Sequence, residues 1–139
     1  MPIISVTKTI NTKGNSDCRN ITKEVQESVT KSGISRGIAT VFIPGATAGV
    51  TTIEFEDGVV SDLSSAMNRL IPEDIEYQHN KRCNDSNGHS HIRASFVGPS
   101  LTVPFINKQL QLGTWQQIVL IDFDTRPRNR EYLINIMGE

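Results

Sequence analysis

All three histidines of this 139-residue chain, His79, His89 and His91, fall in one short stretch, and Arg93 and Ser95 follow directly. Imidazole titrates near neutral pH, so a cluster of histidines offers metal ligation, acid–base chemistry or hydrogen bonds to an anion. If residues 89–97 form a strand, alternation puts His89, His91, Arg93 and Ser95 on one face and Ile92, Ala94 and Phe96 on the other. Two imidazoles at i and i+2 on a strand can share a cation, and His79 from the preceding loop would complete a nitrogen donor set. Zinc is the first divalent ion to expect of such a set. The same residues also read as an acid–base pair, as anion donors together with Arg93, or as surface hydrogen-bonding histidines.

A second candidate region is Pro44-Gly45-Ala46-Thr47-Ala48-Gly49-Val50-Thr51-Thr52, whose small residues, hydroxyls and backbone N–H groups suit a phosphate, as they would a tight turn. Thr47, with Ser95, is a candidate secondary phosphate contact, and Arg93 a candidate anion donor. Glu54 follows, with Ile53 and Phe55 expected on the buried side of a short strand, and is a candidate base or carboxylate ligand. Arg126, Arg128 and Arg130 alternate near the end and could grip a phosphate or simply form an exposed basic turn. The only tryptophan, Trp115, sits between Thr114 and Gln116, which reads first as packing and second as a pocket wall.

These residues must be positioned by a mixture of short strands and helices. Ile3–Ile10 reads as an edge strand and Gly37–Ile43 as a central strand covered on both faces. Asn20 is placed to cap a helix carrying Ile21, Val25 and Val29 and ending at Gly33. Val60, Leu63, Met67, Leu70 and Ile71 give a second helix over about Val59–Ile71, stopped by Pro72. A polar loop then runs from Glu73 to Ser90. Further strands are expected at His89–Val97, Leu101–Phe105, Gln117–Phe123 and Glu131–Met137. Helices early and strands late predict an α+β architecture built on antiparallel sheets, in one domain spanning residues 1–139.

With 14 Lys plus Arg against 15 Asp plus Glu, the chain lacks the basic excess that non-specific nucleic-acid binding requires. Nothing approaches the roughly 20 apolar residues of a membrane span, and no leader pattern opens the chain, so the expectation is a cytoplasmic protein without membrane contact. Cys18 and Cys83 have no paired spacing and read as free thiols.

The runs His91-Ile92-Arg93-Ala94-Ser95-Phe96-Val97-Gly98-Pro99-Ser100-Leu101-Thr102-Val103-Pro104 and Leu110-Gln111-Leu112-Gly113-Thr114-Trp115-Gln116 closely resemble the YjbQ-like family. The resemblance extends over the early helix and Tyr77-Gln78-His79. It implies a jelly-roll-like antiparallel sandwich with two or three short helices, a homotrimer, and a site near subunit contacts for metal or phosphate. Family members are often described as secondary thiamine-phosphate synthases, which implies a phosphorylated small molecule as ligand. By the same resemblance, His79 and His91 occupy functional positions and His89 matches many members. Many relatives carry histidine where this chain has Gly45.

Overall fold

The computed structural model describes all 139 residues. In chain order the elements are β1 (Ile3–Thr12), β2 (Asp17–Asn20), α1 (Thr22–Ser32), β3 (Gly37–Phe42), β4 (Ala48–Ile53), α2 (Asp57–Leu70), α3 (Gln78–Cys83), α4 (Gly88–Val97), β5 (Ser100–Ile106), β6 (Gln109–Leu110), β7 (Gln117–Asp122) and β8 (Arg128–Gly138). The strands form a five-stranded antiparallel sheet, β1-β8-β3-β5-β6, and a three-stranded one, β2-β7-β4. The expected α+β class is therefore observed, with four helices where two or three were expected.

β1 lies at a sheet edge and β3 at the centre of its sheet, as the sequence predicts. β3 is covered on one face only. Ala39 and Val41 are fully buried, whereas Ile38 and Phe42 remain exposed, because an antiparallel sheet can leave one face to solvent. α1 ends at Gly33 in the left-handed conformation, and its residues Val25 and Val29, with Ile21 just before it, enter the main core with Val41, Ile118, Leu120, Ile134 and Ile136. The N-cap position is Ile21, one residue later than the expected Asn20, whose Oδ1 accepts from the Thr22 N–H at 3.0 Å.

β7 is buried on both faces. Ile118 and Leu120 point into the main core, and Val119, Ile121 and the adjoining Phe123 form a second cluster with Ala94, packed by Leu63, Met67 and Val97. That second face decides the state of residues 88–97. The expected strand over His89–Val97 is instead α4, because Ala94 and Val97, three residues apart, meet the apolar side of β7 together. Alternating Ile92, Ala94 and Phe96 imitates a strand, but Ile92 and Phe96 are exposed. α4 crosses β4 at Gly49, where an added Cβ would come within 2.7 Å of Val97 Cγ1. The long polar loop is likewise shorter than expected, since α3 occupies its middle. α2 begins where Glu56 accepts hydrogen bonds from the Gly58 and Val59 N–H groups.

Candidate functional site

On a helix, residues two apart point to nearly opposite sides, so α4 separates the side chains that a strand would align. His91 and Ser95 share one flank, and His89 and Arg93 another. The His91 ring lies 4.3 Å from that of His79 on α3, tilted by 51°. His79 Nε2 stands 2.9 Å from Asp85 Oδ1 and 3.0 Å from Asn87 Oδ1, so this nitrogen carries the proton that these two oxygens accept. Asn87 Nδ2 in turn donates to Asp124 Oδ1 at 3.3 Å. Burial, then the neighbouring His79, lowers the pKa of His91 below the ordinary imidazole value, which keeps it neutral at pH 7.

Beneath this pair is a carboxylate–guanidinium network. Asp122, fully buried, receives the Arg130 Nε at 2.7 Å and Nη2 at 2.8 Å as a two-point pair, together with the Thr12 hydroxyl and the Asp124 N–H. Arg130 Nη2 also donates to Thr47 Oγ1 at 2.7 Å, and Asp124 accepts from Thr47, Arg128 and the Thr125 N–H. Burial opposes the charge on Asp122 and Asp124. For Asp122 the bonds from Arg130 and Thr12 outweigh that penalty, and for Asp124 those from the Thr125 N–H, Asn87 and Arg128 do, so both pKa values fall below the carboxylate norm. Arg130 Nη1 makes no hydrogen bond within the chain and lies 3.1 Å from where a Cβ on Gly45 would stand. Gly45, at φ +128°, also lines a cavity of about 220 Å³ together with Ala46, Ala48, His91, Ala94, Ser95 and Pro99.

The sequence-predicted residues divide accordingly. His91 and Ser95 line the cavity, the Ser95 hydroxyl donating to the His91 carbonyl at 2.8 Å, and His79 packs against the His91 ring. Thr47 lies beneath, its hydroxyl engaged by Arg130 and Asp124 instead of facing outward. His89 does not join the other histidines. It is 1% exposed, packs 6.4 Å from the Tyr77 ring, and has Nδ1 unpartnered and Nε2 4.0 Å from Glu73. Burial, with Arg93 adding to it, lowers its pKa. Arg93 is equally enclosed. Its Nε donates to the Ile71 carbonyl at 2.9 Å and its Nη2 to Asn68 at 3.2 Å, tying α4 to the C-terminal end of α2. Glu54 lies just past β4, beside Trp115 and away from the imidazoles, and Phe55 is exposed.

The expected three-imidazole donor set is therefore absent, and no three His, Cys, Asp or Glu side chains are grouped to hold a metal ion. The residues present do not fit a preformed zinc centre. They fit an imidazole pair, one member oriented by Asp85 and Asn87, beside a small cavity. Asp85, Asn87 and Asp124 carried no sequence signal beyond turn propensity. Arg130 did, through the alternation of Arg126, Arg128 and Arg130, of which it alone is buried.

Comparison with known proteins agrees with this arrangement of elements. The family profile described as "UPF0047 protein YjbQ-like" matches residues 6–139. A UPF0047 protein of Mycobacterium bovis is 46% identical over 105 residues, 73% of this chain and 79% of that protein. One from Methanothermobacter thermautotrophicus is 38% identical over 120 residues, 86% of this chain and 82% of its own length. The crystal structure of a YbjQ-like protein of unknown function from Sulfolobus solfataricus superposes with a TM-score of 0.89 at 28% identity, covering 99% of this chain and all of the other. No helix is long and apolar enough to cross a membrane.

Proposed function

The chain belongs to the YjbQ-like UPF0047 family, and from that premise we propose that it is an enzyme of the secondary thiamine-phosphate synthase type, binding a phosphorylated small molecule at His79 and His91. The observation that carries this is the pairing of two imidazoles, of which His91 lines a small cavity beside Gly45 and Ser95. In such a reaction the ring nitrogen of a thiazole phosphate attacks the methylene carbon of an aminopyrimidine methyl diphosphate. The carbon–oxygen bond breaks and its electron pair leaves with pyrophosphate. The His91 N–H would stabilise the charge growing on that leaving group. His91, held neutral, offers one donor and one lone pair. His79 is kept in orientation by Asp85 and Asn87.

A cavity of about 220 Å³ accommodates a phosphate and little more, below the roughly 300 Å³ typical of small-molecule sites. A homotrimer in which a neighbouring subunit closes over the opening would supply the missing walls. The same small volume favours a second reading, a non-catalytic binder of a phosphorylated metabolite. Steady-state kinetics separate them, because a physiological synthase is expected to reach a kcat/KM of about 10⁴ M⁻¹s⁻¹ or more. Under the synthase reading, His91→Ala abolishes turnover while native mass is unchanged. Phosphate binding without turnover leaves the binder. Metal analysis of protein purified without added metal is expected to find no stoichiometric zinc.

A further inference from the structure

Trp115 is 72% exposed, an unfavourable placement for a side chain of such large apolar area, and the local backbone is built to hold it there. Residues 113–116 form a turn closed by the Gln116 N–H on the Gly113 carbonyl at 3.0 Å. The Gln116 side chain clasps the same turn, its Oε1 accepting from the Gly113 N–H at 3.0 Å and its Nε2 donating to Thr52 Oγ1 on β4 at 3.1 Å. Thr114 and Trp115 sit at the apex of this clasped turn, and the indole is presented to solvent at a fixed place. Glu54, exposed and one residue past β4, stands beside it, and its carboxylate enters no ion pair and no hydrogen bond within the chain.

Glu54 and Trp115 line one depression of about 350 Å³, which shares Thr52 and Gln116 with a groove of about 310 Å³ whose walls include Val50, Leu101 and Leu112. Glu54 is the only charged side chain in either, so nothing within the chain answers its charge. An aromatic face next to an unpaired carboxylate is the combination that holds an organic cation. The ring quadrupole and the carboxylate both attract positive charge, and indole is the strongest of the aromatic rings in this respect. An anion is repelled by Glu54, with no Lys or Arg to offset it. We infer that the Trp115–Glu54 depression is a binding site for an alkyl ammonium or alkyl guanidinium ion. The cationic head lies on the indole and pairs with Glu54, and the alkyl chain runs into the groove beyond Thr52 and Gln116. A free amine or guanidine and the Lys or Arg side chain of a peptide carry the same chemistry. The site goes beyond the phosphate reading and shares no lining residue with the His91 cavity.

Because the chain has one tryptophan, its fluorescence reports on this site alone. Titration of the full chain with butylguanidinium is expected to change the emission saturably, and N-butylurea, nearly the same shape without the charge, to leave it unchanged. Glu54→Gln, on an exposed side chain, is expected to weaken binding about fivefold, the upper end for one exposed ion pair, and added salt to weaken it further in the parent. Trp115→Leu, followed by calorimetry because the reporter is gone, is expected to weaken it by a similar factor. His91→Ala is expected to leave it unchanged, so failure here and failure of the phosphate reading are separable. Agmatine and a capped tripeptide with a central arginine distinguish the sources: tighter agmatine assigns a free small cation, and a tighter peptide assigns a side chain. The inference is overturned if butylguanidinium gives no saturable change, if butylurea binds as well, or if Glu54→Gln has no effect. It is equally overturned if ligand-free emission is already that of an indole covered by a second copy.

Discussion

On α4, His91 and Ser95 border a cavity, whereas His89 and Arg93, two residues before each of them, are enclosed against Tyr77 and the end of α2. Both flanks carry one histidine, and both histidines are lowered in pKa by burial. The difference lies in what else they touch. His91 meets a second imidazole and open space. His89 meets packed atoms, and Arg93 beside it spends its N–H groups on a backbone carbonyl and an amide. One flank is arranged to exchange partners and the other to hold α4 in place, so substitutions on the two should fail in different assays.

The largest effect is expected below α4, at the charge pair that supports the open flank. Arg130→Met leaves Asp122 buried and unpaired, and should lower stability by about 3–5 kcal/mol in urea unfolding at pH 7. On the enclosed flank, Arg93→Met removes bonds to Ile71 and Asn68 and is expected to cost about 1.5–3 kcal/mol, while phosphate affinity is retained in the folded fraction. Retained stability in this variant would erase the distinction between the flanks.

The pH dependence sharpens the same contrast. A histidine whose folded pKa is lowered binds fewer protons folded than unfolded. Its contribution is therefore complete above the unfolded value of about 6.5 and declines as pH falls toward the folded value. Urea midpoints should drop between pH 7 and pH 5, and His89→Leu should flatten that drop. Asp122 and Asp124 act in a separate window, below about pH 4, where their depressed pKa values make protonation unfavourable to the fold. The smallest stability effect is expected for His91→Ala, within about 0.5 kcal/mol of the parent, with phosphate binding lost.

The sequence carried the framework further than the site. β-branched runs and 3.6-residue spacing located β1, β3, α1, α2 and the late strands to within a few residues, because those patterns are local. Residues 88–97 are ambiguous in sequence because their alternation is compatible with either state, and the choice is made by Val119, Ile121 and Phe123, distant in sequence. That one reversal dispersed the histidine row. It placed His89 and Arg93 inside, and brought Asn87 between His79 and Asp124. Hydrogen-bonded partners of this kind leave no periodic trace. Arg130 was visible as one of three alternating arginines, but its burial against Asp122 depends on β8 pairing with β1 and β3.

The most direct test of the separation between the flanks is an NMR titration of the three imidazoles, labelled with ¹⁵N, against inorganic phosphate. The expected result is that His79 and His91 shift together and saturably while His89 stays still. Movement of His89 in step with the other two, or no movement of His91, would contradict it.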